Sequence, residues 1–329
     1  MMPSGPTRVA VLFGGDSPER EVSLSSGRAL CSALEGAGFL VEPLEADSPR
    51  RMLEMTGRSD ADVFFIALHG SWGEDGRIQA ALELMGKVYT GSGATACALA
   101  MDKRASKALF TADGVPTPRA LCLFPGDRVS GAAEGKAADA LKRWARIVIK
   151  PSGCGSTVGV TIVSSQAEVE EALSLAFSFD SAVLVEEYIP GREITVTVWE
   201  EREETSLLPV IQIEPRQGFY DYQAKYTPGQ TEYLCPAPLA PVERERVAGA
   251  AVAAHPALGG RGVRRGGVRV TRPGHPYLDE ATPDPGMTAT SLVPRSAAAM
   301  GWGFDELARR IVRSSMELRS AGTGPLTRR

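Results

Sequence analysis

Val9-Ala-Val-Leu-Phe13 follows Arg8 without a polar interruption and stops at Gly14-Gly-Asp-Ser17. An uninterrupted apolar run of strand length predicts a strand buried on both faces, as in a parallel sheet. Glu19 to Leu34 then has helical composition, so strand, glycine turn and helix open an α/β unit. Phe39–Pro43 and Asp62–Leu68 predict further strands, the second ending at His69-Gly70. Ile78–Met85 predicts a helix, and Val88-Tyr-Thr90 predicts a short strand before the loop Gly91-Ser-Gly93. This N-terminal part has the pattern of a small doubly wound domain with its loops at the strand C-terminal ends.

Further on, Met101–Ala112 predicts a helix ahead of Gly114-Val-Pro-Thr-Pro118, and Gly126–Ala138 predicts a loop followed by a helix start. Ile147-Val-Ile-Lys150 predicts a strand whose last residue is a lysine. Ala182–Glu187, Glu193–Trp199 and Leu207–Glu214 predict more strands, the middle one with clear β-branched alternation. Residues 256–284 differ in texture: Gly259–Gly274 is dense in Gly, Arg and Pro, which fits poorly with a buried strand pair. Tyr277-Leu278 then has the pattern of a strand end, where Asp279, Glu280 and Asp284 gather carboxylates. Pro285-Gly286 forces a turn, and Thr288, Thr290 and Ser291 bring hydroxyls to the start of the next helix. Carboxylates beside a helix N-terminus suit a hard cation and an anionic group together. An acidic surface turn fits the same residues. Phe304–Ser320 closes the pattern as an amphipathic helix with Leu307, Ile311 and Val312 on its apolar side.

Composition narrows the classes. The 329 residues suffice for two or three packed units, with hydrophobic and charged fractions of 43% and 23% typical of a globular protein. A net charge of −4 with no basic run gives no reason to expect nucleic acid. Cys31, Cys97, Cys122, Cys154 and Cys235 are odd in number and scattered, which argues against a disulfide framework or a zinc knuckle. No apolar run approaches the ~20 residues of a membrane span. Val9–Phe13 is too short for a signal-peptide core, so a reducing cytoplasm is the expected location.

Lys150-Pro-Ser-Gly-Cys-Gly-Ser-Thr-Val-Gly159 is the strongest local anion-binding pattern, with a strand-end lysine, glycines that let backbone N–H groups approach, and the hydroxyls of Ser156 and Thr157. It lacks the Gly-Lys-[Ser/Thr] of a P-loop. Further segments stand in order around it: Gly14–Leu24, Ala67-Leu-His-Gly70 with Gly73-Glu-Asp-Gly76, Tyr89–Gly93 and Met101-Asp-Lys103 precede it. Phe219-Tyr-Asp-Tyr-Gln-Ala-Lys-Tyr226, Pro285-Gly-Met-Thr288 and Ser291-Leu-Val-Pro294 follow. In this arrangement, spread over nearly the whole chain, the sequence resembles the D-alanine–D-alanine ligases of the ATP-grasp superfamily.

The resemblance implies an α/β fold, α+β in its C-terminal part. Residues 1–98 would form a doubly wound pre-ATP-grasp domain, 99–182 a central ATP-grasp lobe, and 183–329 a C-terminal lobe with the metal and second-substrate sites. It implies ATP as co-substrate, with two Mg²⁺ or in their stead Mn²⁺, D-alanine as the other substrate, and a homodimer serving peptidoglycan precursor synthesis. Lys103, Lys150 and Lys225 would meet the phosphates; Glu186, Glu187, Tyr188 and Ile189 the adenine; Glu193 the ribose. Glu19 would bind the first ammonium and form a loop-closing triad with Ser156 and Tyr226, with Tyr222 packing the loop and His69 near substrate. Arg265 and the Gly286 N–H would stabilise the oxyanion, and Ser291 would hold the second carboxylate. Tyr226 is similar to its counterpart in the dipeptide-forming members rather than those using D-lactate.

One part of the resemblance fails. Of the family's metal positions Glu280 carries the carboxylate, but the Asp position is Gly267 and the Asn position is Thr282. Three readings remain open: Asp284 or Asp279 substitutes, Asp284 being preferred because Asp279 should face away from Glu280 on a strand; the chain is a nucleotide-binding relative with impaired catalysis; or residues 256–284 carry a reading-frame slip.

Overall fold

The structure is a computed structural model describing residues 6–201, 204–216, 218–221, 224, 225, 227, 229–282, 286–288 and 291–322. Strand β1 (Arg8–Gly14), helix α1 (Arg20–Gly36), β2 (Leu40–Ala46), α2 (Pro49–Arg58) and β3 (Val63–Ile66) build a parallel sheet of order β2-β1-β3. The apolar run of β1 lies in its middle, so Val9–Leu12 are fully buried, as an interior strand covered on both faces demands. Helix α3 (Arg77–Leu84) follows; the strand expected at Val88–Thr90 is a single bridge between Tyr89 and Phe64. Gly14 and Gly15 turn the chain with φ of +102° and +92°, and a Cβ on Gly14 would stand 2.3 Å from the Ala46 carbonyl oxygen. Only glycine passes here, and the turn delivers Glu19 to the C-terminal end of the sheet.

The helix expected over Met101–Ala112 is found with its start two residues later, behind a separate helix. Helix α4 (Ala94–Met101) ends where Asp102 leaves helical geometry to cap α5 (Lys103–Ala112), its side chain accepting from the Arg104 and Ala105 N–H groups. Next come β4 (Ala120–Leu123), α6 (Pro125–Val129), α7 (Ala132–Trp144), β5 (Ile147–Pro151), β6 (Thr161–Val163), α8 (Val169–Phe179) and β7 (Val183–Glu187). Their strands form an antiparallel sheet of order β4-β7-β5-β6. Apolar residues of α7 and α8, among them Ala137, Leu141, Leu173 and Ala176, pack on Ile147, Ile149, Val183 and Val185.

The remaining strands are β8 (Arg192–Glu201), β9 (Glu204–Leu207), β10 (Ile211–Pro215), β11 (Thr231–Leu234), β12 (Val263–Val270) and β13 (Pro276–Thr282). They form a third sheet in the order β11-β10-β8-β12-β13, with β9 on β8. The strand expected over Leu207–Glu214 is found as β10 with a later start at Ile211, β9 ending at Leu207. Helix α9 (Pro241–Ala257) and α5 share a core with β8, β12 and β13. Helix α10 (Leu292–Ala299) and α11 (Phe304–Gly322) pack back on α1: Leu307, Ile311 and Val312 join Leu24, Leu30 and Leu34 in one cluster.

The Gly/Arg/Pro-rich segment is a strand pair after all. Val268 and Val270 carry one apolar face of β12, Val263 is buried on the other face, and Pro273 and Gly274 fall in the turn before β13. Gly266 fits because the neighbouring strand is close: a Cβ there would lie 3.1 Å from Leu278 Cδ1. The strand expected to end at Leu278 runs on to Thr282. Between Gly267↔Glu280 and Val268↔Leu278 the register slips, so Asp279 is an extra residue, a β-bulge.

Helix α1 sits on β1 so closely that a Cβ on Gly27 would lie 2.2 Å from Phe13 Cγ. Gly27→Ala is therefore expected to destabilise the protein by about 1–3 kcal/mol through overpacking. A urea denaturation midpoint unchanged by the substitution would refute that contact.

Candidate active site

All three sheets open onto one cavity of ≈ 640 Å³. That is within the range of small-molecule sites. Its N-terminal wall is supplied by the chain after β1 and β3. There Glu19 accepts a hydrogen bond from the Ser156 hydroxyl, which arrives on the glycine-rich loop after β5. Ser156 and Thr157 hold φ of +51° and +63°, left-handed values unfavourable for non-glycine residues. Thr157 is fixed by donating to the Tyr220 carbonyl at 3.1 Å. His69 is buried in the same wall, its Nε2 3.2 Å from Ser26 Oγ and its Nδ1 3.2 Å from Glu74 Oε1. Burial pushes the Glu74 carboxyl above its ordinary range despite the histidine beside it.

The floor is a charge cluster. Glu186 on β7 is buried between Lys150 Nζ (2.7 Å) on β5 and Lys107 Nζ (3.1 Å) on α5. Burial pushes Glu186 up, but the two ammoniums outweigh it and hold the carboxyl below its usual range. Burial likewise pulls Lys150 down, and Glu186 with Asp279 more than restores it. Lys103 Nζ donates to the Cys154 carbonyl at 2.7 Å, and burial lowers its pKa. Burial also lowers Lys225, whose Nζ stands 5.3 Å from the Tyr220 ring centroid. Lys103, Lys150 and Lys225 thus come from three separate segments to one cavity, and desolvated ammoniums there strongly favour an anion.

Along the rim, Glu187 pairs with Arg119 through two bonds of 2.8 and 2.9 Å, Tyr188 lies under Arg146 at 4.2 Å, and Ile189 is buried. Glu193 is held by Arg269 at 2.9 Å. Burial raises Glu193. On the C-terminal wall, Gly286 and Ser291 line the cavity, and Ser291 Oγ accepts from the Thr288 N–H at 3.1 Å. Tyr222, Tyr226 and Asp284 lie outside the described residues.

Asp279 corrects the strand argument. The bulge turns it to the same side as Glu280, so both line the cavity, with Asp279 Oδ2 3.5 Å from Arg269 Nε. Glu280 faces Lys103, Arg265, Lys225 and Lys150, which overcome its desolvation and keep it well below the ordinary carboxylate range. A Mg²⁺ ion needs near-octahedral oxygen donors, partly carboxylate and phosphate. Glu280 fits one such ion shared with phosphate oxygens. Thr282 Oγ1 already accepts from Arg265 Nη2 at 2.9 Å, and Gly267 has no donor side chain, so the described donors do not fit two.

The family model of the D-ala D-ala ligase C-terminus matches residues 109–313, and that of the D-ala D-ala ligase N-terminus matches residues 44–92. The chain belongs to the D-alanine–D-alanine ligase family. A D-alanine--D-alanine ligase of Anaeromyxobacter sp. is 45% identical over 307 residues, covering 93% of this chain and 96% of the relative. One from Syntrophotalea carbinolica is 43% identical over 305 residues, covering 93% and 95%. The crystal structure of D-alanine--D-alanine ligase from Bacillus anthracis complexed with ATP superposes with a TM-score of 0.82 at 30% identity, covering 96% of this chain and 99% of that one. The fold is the ATP-grasp fold of these neighbours.

Two charged residues of the site escaped the sequence reading. Lys107 lies one helical turn after Lys103, and Arg269 stands two alternations after Arg265 on β12; both spacings put the pair on one face. The periodicity was there, but a lone lysine or arginine is usually solvated, and only the packing of α5 and β13 shows otherwise.

Glu186→Gln leaves two buried ammoniums without their carboxylate and is expected to destabilise the protein by about 3–5 kcal/mol. Because the folded carboxyl is held below its unfolded value near 4.5, the pair's contribution is complete above that pH and is lost as pH falls through the lower folded value. Urea titrations from pH 7 down to 3 should therefore show a shallower acid loss in Glu186→Gln than in the wild type. Parallel acid limbs would refute the assignment.

Proposed function

We propose that this chain joins two D-alanines at the expense of ATP, through a D-alanyl phosphate, for peptidoglycan precursor synthesis. The observation that carries this is the meeting, in one cavity, of the Glu19–Ser156 pair with the ammoniums of Lys103, Lys150 and Lys225 and the guanidinium of Arg265. A carboxylate oxygen of the first D-alanine attacks the γ-phosphorus as the bond to the β-phosphate bridging oxygen breaks. The second D-alanine's amine then attacks the acyl carbon, loses a proton, and inorganic phosphate leaves.

Each residue has a task on this reading. Glu19 binds the first ammonium while taking the Ser156 hydrogen bond, and by resemblance the pair joins Tyr226 in a triad that closes the loop of Tyr222 and Tyr226 and keeps water from the acyl phosphate. Lys103, Lys150 and Lys225 neutralise the phosphates. Glu186, Glu187, Tyr188 and Ile189 line the base, and Glu193 takes the ribose hydroxyls. Arg265 and the Gly286 N–H receive the oxyanion. Ser291 meets the second carboxylate, and His69, braced by Ser26 and Glu74, packs against the substrates. Tyr226 and Tyr222 are assigned to loop closure by resemblance. One Mg²⁺, held by Glu280 and the phosphates, would supply Lewis-acid polarisation of the γ-phosphoryl group.

We place the unit boundaries after residue 98 and between β7 and β8, because β7 pairs with β4 and β5 in the central sheet. This moves the second boundary past the 182/183 position implied by resemblance. By resemblance too the working form is a cytoplasmic homodimer; no helix among the described residues is long and apolar enough to cross a membrane. A second reading, a nucleotide binder with impaired turnover, is favoured by Gly267 and by the Arg265 contact on Glu280.

Phosphate release from ATP separates the two. Release that requires D-alanine and Mg²⁺ supports the ligase, and ATP binding without turnover at any Mg²⁺ concentration supports the binder. Turnover with D-serine or D-lactate exceeding that with D-alanine would change the second substrate. Removing a hydrogen bond to a charged group costs about 1.5–3 kcal/mol, roughly ten- to hundredfold. Glu19→Gln should therefore lower kcat/KM for the first D-alanine by about that factor while leaving the Kd for ATP within roughly twofold. An equal loss in ATP affinity would argue against the assignment.

A further inference from the structure

Strands β12 and β13 face each other at the cavity with Arg265 opposite Thr282 and Gly267 opposite Glu280. Arg265 Nη2 bridges the two β13 side chains, donating to Glu280 Oε1 at 3.3 Å and to Thr282 Oγ1 at 2.9 Å. A Cβ on Gly267 would stand 3.4 Å from Glu280 Cγ and 3.9 Å from its Oε1, so a side chain there would lie alongside that carboxylate in ordinary contact. Asp279, which the bulge brings into the same cavity, is turned to Arg269. Among the described residues no group of three or more His, Cys, Asp or Glu side chains could hold a metal ion.

Two divalent cations against one polyphosphate repel each other and need anionic donors between or beside them. Among the described residues Asp279 is turned to Arg269, which leaves Glu280, and a guanidinium already lies on it. Arg265 with Lys103, Lys150 and Lys225 instead supplies fixed positive charge to the same anion. We propose that the site takes a single divalent cation with its nucleotide: the missing side chain at Gly267 removes the second position, and the side-chain cations carry the charge that a second ion would bring. This rests on the nucleotide assignment made above.

Mn²⁺ is the probe, counted by electron paramagnetic resonance on the full chain with saturating ADP and inorganic phosphate. One bound Mn²⁺ per chain is expected, with no spin-coupled pair. Gly267→Asp is expected to bind two and to show the coupled spectrum. Two Mn²⁺ in the wild-type chain would overturn the proposal, as would a count of one in a folded Gly267→Asp protein. Failure of the wild type to bind Mn²⁺ and ADP at all would overturn the nucleotide assignment instead, so the two failures are distinguishable. The wild-type count stands even if the variant does not fold.

Discussion

Glu186 is one carboxylate set between two buried ammoniums, Lys150 and Lys107. None of the three would be tolerated alone at that depth, since an unpaired buried charge costs several kcal/mol. Together they join β5 and β7 of the central sheet to α5, whose other face packs on the C-terminal sheet. Within this trio the ammoniums outnumber the carboxylate, an excess that Asp279, facing Lys150, reduces. In a medium of low effective dielectric that excess is strongly felt by any anion that enters. The same interaction that fastens two lobes therefore also makes this end of the cavity attractive to an anion.

The other end depends on closure between chain segments far apart in sequence. Glu19 is placed by the glycine turn after β1, and Ser156 by a loop whose backbone adopts left-handed conformations. Helices α1 and α11 share a core that also takes in Trp199 of β8, which sits edge-on to Trp302 at 5.3 Å. The N-terminal and C-terminal units are thus fixed against each other, and the Lys150–Gly159 loop meets a stationary partner. Such pre-organisation spares the ordering cost of assembling the site at each turnover.

The corner between β12 and β13 has its own balance of charge. The bulge at Asp279 adds a carboxylate, but the side chain turns toward Arg269, which also holds Glu193. Glu280 remains, surrounded by cations that keep it ionised. The balance at this corner rests on guanidinium and ammonium groups more than on metal-binding oxygens.

The residues themselves determined a good deal. The apolar run of β1, the Gly14-Gly15 turn, the β-branched alternation of β8 and the amphipathic face of α11 are local patterns whose period or steric demand points to one structure. The ordered motifs likewise marked Glu19, Lys103, Lys150, Ser156, Glu186 and Arg265, and all six come to one cavity. Other features were not legible. The bulge that rotates Asp279 is a matter of register between two strands, and register depends on what each strand packs against rather than on either sequence alone. The helix start at Lys103 rather than Met101 was set by the Asp102 side chain capping it. Lys107 and Arg269 had the right spacing, yet their burial was decided by elements distant in the chain. A lysine's pattern on a helix is the same in solvent as beside Glu186, and only the tertiary structure brings the carboxylate to it.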